Sequence, residues 1–208
     1  MIDDLSEAQL LERYRAGHTD AFEALVRRHQ GPLLRHALGL LGAGPAEDVV
    51  QEAFLRLAQQ TPDLPEEVVG DARAERAALA SWLHKVTRNL CMDLLRSESR
   101  RKRREHEVAP GEAAGGGFER VELSDTRDAV SRSLERLPED QREVLVLRLL
   151  GEKSYKEIAA ITGKKIGTVG WLVSVGLKAL ASELAPLLGG APGDDSRASG
   201  LTPARGEL

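Results

Sequence analysis

The stretch AEDVVQEAFLRL (residues 46–57), taken with SWLHKVTRNLCMDLLR (residues 81–96), decides how this chain folds. In the first, Val49, Val50, Ala53, Phe54 and Leu57 recur at helical spacing, and Glu47, Asp48, Gln51, Glu52 and Arg56 are left for the opposite side. The pattern predicts an amphipathic helix with an acidic, amide-bearing outer face. In the second, Trp82, Leu83, Val86, Leu90 and Leu94 make the inward stripe, and Lys85, Arg88, Asn89, Asp93 and Arg96 face outward. Two helices of opposite surface character in one small core point to a module that touches a protein with one face and a nucleic acid with the other.

The rest of the composition agrees with an all-α chain. Of 208 residues, 30% are charged and only 3% aromatic, so the cores must be built from Leu, Val and Ala. That length allows one domain or two small ones, each of the two near the lower end of independently stable sizes. A net charge of −4 argues against a surface that is basic throughout and leaves any nucleic-acid contact to local segregation of charge. The one cysteine, Cys91, excludes an intramolecular disulfide or a cysteine-cluster metal site and reads as a small packed residue. No run approaches the roughly 20 apolar residues of a membrane span and the N-terminal MIDDLSEAQLLERY is acidic, so a soluble, cytoplasmic protein is expected.

Ahead of the central helix, residues 5–16 and 21–41 read as helices, with Thr19 or Asp20 as N-cap of the second and a kink or break at Gly31-Pro32. Leu10, Leu11, Tyr14, Phe22, Leu25, Val26, Leu33, Leu38 and Leu41 are among the expected inward positions. TPDLPEEVVGDARAERAALA, from residue 61, reads as an irregular loop, with a long helix from about Ala78 through Arg96 into the basic run that holds Arg100 and Arg101. At the end of a helix already showing Lys85, Arg88 and Arg96, that run suits phosphate binding. The glycine-rich 107–123 reads as a flexible linker, dividing a first module (1–106) from a second (124–188), and 189–208 reads as a disordered tail. In the second module Ser154 with Glu157 forms a capping-box signature, Gly163 supplies a tight turn, and a further helix starts near Ile166 or Thr168, which is helix-turn-helix chemistry.

At these residues the chain resembles the extracytoplasmic-function class of bacterial sigma factors. Asp48, Gln51, Glu52 and Phe54 match that family's E-D-x-x-Q-E-x-F helix, and Trp82, Leu83, Arg88, Asn89, Asp93 and Arg96 match its W-L…R-N-x-x-x-D-x-x-R helix. LPEDQREVLVLRLL with SYKEIAAITGKKIGTV is similar to sigma domain four. The resemblance implies two helical domains, sigma domain two and sigma domain four, and a subunit that binds core RNA polymerase and directs promoter recognition. It implies that Asp48, Gln51, Glu52 and Phe54 dock on the clamp helices of the largest polymerase subunit. Domain four would meet the flap of the second subunit, and Arg88, Asn89 and Arg96, with Lys85, Arg100 and Arg101 beside them, would meet the minus-ten promoter DNA. It also leaves room for an anti-sigma factor, and it implies no cofactor, metal, membrane or small-molecule substrate.

One segment departs from the family. After G-T-V the usual K-S-R-L-x-R-A is replaced by Gly170, Trp171, Leu172, Val173, Ser174, Val175 and Gly176. Val169, Val173, Gly176 and Leu180 fit an inward stripe, which leaves Trp171, Leu172 and Val175 either buried more deeply than usual or forming an apolar docking surface. Lys153, Lys156, Lys164 and Lys165, from the preceding helix and turn, remain as candidate phosphate contacts, with Thr168 of the helix-turn-helix a further candidate DNA contact. The competing function is therefore a sigma-like adaptor whose second domain binds a regulatory protein and not upstream DNA. Five scattered histidines and no nucleophile beside a base predict no catalysis.

Overall fold

The computed structural model describes residues 2–42, 44–108 and 125–185; the expected tail and almost all of the expected linker lie outside the described residues. The first domain contains α1 (Glu7–Arg15), α2 (Thr19–Leu41), α3 (Ala46–Gln59) and α4 (Ala72–Val108), and the second α5 (Asp125–Arg136), α6 (Glu139–Leu145), α7 (Tyr155–Thr162) and α8 (Ile166–Leu184). No strand occurs among the described residues.

Side-chain capping accounts for the starts of α1, α4 and α7. Ser6 and Gln9 close a reciprocal capping box on α1, as Ser154 and Glu157 do on α7, while Gly163 ends α7 in the left-handed region at φ 73°. α2 starts after His18, which offers no side-chain cap, so neither Thr19 nor Asp20 fills that role. Pro32 lies inside α2 without breaking it. α4 begins at Ala72 and not near Ala78, because Asp71 accepts from the backbone N–H groups of Arg73 (2.9 Å) and Ala74 (3.1 Å). The buried Glu75 then accepts from Gly70 (2.8 Å) and Ala8 (3.0 Å), tying that new start to α1.

The first core gathers Leu10, Leu11, Leu25, Leu33, Leu40, Val49, Phe54, Leu57, Leu79 and Leu83 around α2. Leu38 and Leu94, both expected inward, are 39% and 38% exposed. Leu38 sits off the stripe of Leu33, Ala37 and Leu40, and Leu94 lies where α4 leaves the bundle. Cys91 is fully buried, and burial pushes its thiol up to about 12, so it packs as an inert side chain. The second core joins Val144, Leu145, Val146 and Leu147 to Ile158, Ile161, Val169, Leu172 and Val173. Between α6 and α7 the helix widens into a π-helical turn, Val146–Leu150, closed by Gly151 N–H to Val146 O at 3.0 Å.

The two domains pack directly on each other. α2 lies against the π-helical turn and α4 against α7. The approach is close enough that a Cβ on Gly39 would meet Val146 Cγ1 at 2.6 Å, and Arg35 Nε donates to Leu150 O at 3.0 Å. The glycine-rich linker predicts two separate modules; the structure folds one onto the other.

Candidate functional site

On α3, Glu47, Asp48 and Gln51 are exposed and Glu52 is half-exposed, while Val49, Val50, Ala53, Phe54 and Leu57 are buried. Two grooves flank this face. One of about 460 Å³ runs beside Gln30, Leu34, Glu47 and Gln51, and one of about 340 Å³ beside Phe22, Val26, Gln51, Phe54 and Leu55. Leu55 is 54% exposed, an apolar contribution to this face that the periodic reading passed over. Phe54 is held by an edge-on contact with Phe22 (centroids 6.4 Å apart) and lines the second groove with little of its own surface exposed. The face thus combines carboxylates with apolar clefts.

On α4, Lys85, Asn89, Arg96 and Arg100 follow one another at i, i+4, i+11 and i+15, and all are exposed. Further on, Arg100, Arg103 and Arg104 with Ser97 line a basic trough of about 590 Å³. Arg101 is exposed and lies off that stripe. Arg88 does not face solvent as its spacing predicted. Its guanidinium makes a short, two-pronged contact with the carboxylate of Glu143 on α6, which is 1% exposed. Burial pushes the Glu143 carboxyl above its usual range, against the pull of Arg88. Glu143 is not among the sequence-predicted site residues; the available signal is a carboxylate directly flanking the apolar run VLVL (residues 144–147).

Around this contact the interface is basic. His36 and His84 face each other with Nδ1 to Nδ1 at 3.1 Å, so one donates and the other accepts. Burial, reinforced by Arg88 and Lys153, holds His36 down to about 3, and burial with His36 and Lys153 holds His84 at about 2; both are neutral. Lys153, expected to reach DNA phosphate, instead lines an interdomain cavity of about 260 Å³ with Arg28, His29, Arg76 and His84. Its burial lowers the ammonium pKa. Beneath that cavity Glu7 accepts from Arg76 (3.0 Å), with Arg28 and His29 at 3.5 Å. Burial raises this carboxyl, but the hydrogen bonds from His29 and Arg76 outweigh it and carry the pKa down to about 2.

On the second domain Val169, Val173, Gly176 and Leu180 are all buried, as the periodicity predicts. Leu172 is 5% exposed and belongs to the core, so it forms no part of a docking surface. Val175 is half-buried, whereas Trp171 stands 62% exposed. Lys156, Lys165 and Thr168 are exposed; Lys164 is largely buried and bound to Asp140 at 2.7 Å.

Known proteins match both halves. Residues 25–101 match the family model described as Sigma-70 region 2, and residues 127–180 the one described as Sigma-70, region 4. The ECF RNA polymerase sigma-E factor of Escherichia coli (strain K12) is 30% identical over 199 residues, covering 90% of this chain and 99% of that protein. The ECF RNA polymerase sigma factor SigM of Mycobacterium tuberculosis is 34% identical over 165 residues, 79% of this chain and 77% of that one. Among solved structures, the sigma factor RpoE of Bartonella quintana, in complex with the anti-sigma factor NepR, superposes with a TM-score of 0.61 at 26% identity, covering 78% of this chain and 96% of that one. Two sigma regions in order, and a relative matched nearly end to end, make this chain a member of the ECF sigma factors of the sigma-70 family, which direct transcription initiation by RNA polymerase.

Proposed function

We propose that the exposed face of α3 docks on the clamp helices of the largest polymerase subunit, with Asp48, Gln51 and Glu52 meeting basic and polar groups while the apolar grooves beside Phe54 and Leu55 receive side chains. The exposed stripe Lys85, Asn89, Arg96 and Arg100 then meets minus-ten DNA, and the trough at Arg103 and Arg104 carries phosphates. The second domain contacts the flap of the second subunit and the upstream promoter. Sigma factors are initiation factors and not enzymes, so strand separation here is stabilised by binding. Among the described residues no group of side chains fits a metal ion and no helix is long and apolar enough to cross a membrane.

The observation that carries this reading is the segregation of charge, acidic on the outer face of α3 and basic along α4, on two adjoining helices of one domain. The contact between Arg88 and Glu143 adds a further step. While the domains are packed, a promoter-facing guanidinium is occupied by a carboxylate of the other domain, so the packed form is the resting form and promoter binding exchanges Glu143 for phosphate. The solved complex of a related sigma factor with an anti-sigma factor supports a protein of that kind as a regulatory partner. The test is paired. Asp48→Arg with Glu52→Arg should abolish capture of core polymerase with the helical circular dichroism intact. Lys85→Ala, Asn89→Ala and Arg96→Ala together should spare that capture and remove permanganate-reactive thymines at a cognate promoter. Loss of both activities in both variants would contradict the division of labour.

A further inference from the structure

The outward face of α8 has a composition that the fold does not require. Opposite the buried stripe of Val169, Val173, Gly176 and Leu180 lie Gly167, Trp171, Ser174 and Lys178, at i, i+4, i+7 and i+11. Trp171, the largest side chain there, is 62% exposed. A Cβ on Gly167 would meet no atom within 4 Å and its φ is not positive, so neither space nor backbone conformation calls for glycine. Its absence of a side chain leaves the approach to Trp171, one turn along, open from outside the chain.

Charge indicates what approaches. No carboxylate occurs from Lys164 to Ser182, whereas Lys165 and Lys178, at the N-cap and on the outward face of α8, stand exposed, as does Lys156 on α7. A cationic rim with no acidic residue on this helix face complements a polyanion, and a helix following a tight turn is the element that enters the major groove of duplex DNA with its N-terminal residues on the base edges. The face carries no Arg, Asn or Gln, so the bidentate pairs that select guanine or adenine are missing. What remains near its N-terminal end is the Trp171 ring with the Thr168 methyl beside it at i, i+3, both exposed. Such groups distinguish one base edge by apolar contact, that of thymine with its 5-methyl group. We propose that Trp171, with Thr168 beside it, selects thymine in the upstream promoter element through that methyl group; this rests on the reading of the second domain as an upstream-DNA contact.

Full-length protein with core polymerase is used to select binders from random duplexes amplified in one series with thymidine and in another with deoxyuridine triphosphate, which lacks only the methyl group. The thymine series should return upstream sites with thymine at one or two adjacent positions. The uracil series should lose about fourfold in binding for each such position. Trp171→Ala, whose circular dichroism should match wild type because the ring is exposed, should abolish the difference between the series. An upstream consensus lacking thymine, the same consensus with uracil, or an unchanged preference in Trp171→Ala each overturns the thymine assignment and leaves upstream DNA binding standing. If wild-type holoenzyme enriches no upstream sequence while still recognising a minus-ten element, the DNA-contact reading falls with it, and the patch is a protein-docking surface.

Discussion

Replacing Glu143 by Gln removes the charge that holds Arg88 and keeps the shape of the side chain. The carboxylate is 1% exposed and Arg88 22%, so the pair is shielded from solvent screening. Gln retains a neutral hydrogen bond of about 0.5–1.5 kcal/mol in place of a charge-assisted one of about 1.5–3, and burial of the Glu143 charge offsets part of the difference, so the loss is at most about 1–1.5 kcal/mol. Arg88 regains water as soon as the second domain lifts away, so the loss appears as a shift between packed and separated domains and not as global unfolding. On the scale of tenfold per 1.4 kcal/mol, the separated fraction rises by about 5- to 12-fold at most. Fluorescence energy transfer between dyes placed at Ser97→Cys and Ser182→Cys reports the shift; both positions are exposed, and the Cys91 thiol, buried and raised to about 12, does not label. Transfer should fall in Glu143→Gln, and affinity for a single-stranded minus-ten oligonucleotide should rise by a similar factor. Combining Arg88→Glu with Glu143→Arg should restore transfer but not oligonucleotide binding. Wild-type transfer and wild-type oligonucleotide affinity in Glu143→Gln would refute the reasoning.

Gly39→Ala tests the same packing without touching a charge. The new methyl would lie 2.6 Å from Cγ1 of the fully buried, β-branched Val146. It should loosen the domains by energy transfer even though alanine favours an isolated helix by about 1 kcal/mol, and a tighter, more stable protein would contradict the packed arrangement. Leu172→Arg should cost the second domain about 3–5 kcal/mol, because the arginine replaces a core side chain with an unpaired charge; an unchanged unfolding temperature would place Leu172 outside the core. Acidification should destabilise the protein. His36 and His84 are held at about 3 and about 2, below their ordinary 6.5, so the stability they contribute is present above about pH 6.5 and is lost as pH falls. Glu7, held at about 2, adds to the loss below its ordinary 4.5. Glu143, raised, acts in the opposite sense, its contribution declining as pH rises above 4.5. Two histidines outweigh one carboxylate, and a melting temperature that does not fall from pH 7.5 to 5.5 would show that they do not.

The helices and their inward faces were legible because periodicity and capping are local. Val49, Phe54 and Leu57, the box at Ser154 and Glu157, and the stripe Val169 to Leu180 needed no knowledge of what lay across from them. Asp71 was legible in principle too, since a lone aspartate after glycine is a cap, but two prolines upstream made the whole segment read as loop. The contacts between domains were not legible. Arg88 looks outward from its own helix and is inward only because α6 brings Glu143 to it, a pairing set by the approach of Gly39 to Val146. Lys153 is the same case: the turn that holds it reads as a DNA-facing turn until the other domain closes over it. Leu172 left two readings open because neighbouring helical positions straddle the boundary of a buried stripe, and only the packing of α6 against α8 decides between them.

The most direct test is run-off transcription by purified core RNA polymerase on a pool of genomic fragments from the organism that encodes this chain. Wild-type protein should yield discrete transcripts that core polymerase alone does not make, and Asp48→Arg with Glu52→Arg should yield none. An absence of promoter-specific transcripts with wild-type protein, or an identical set with the double variant, would contradict the account.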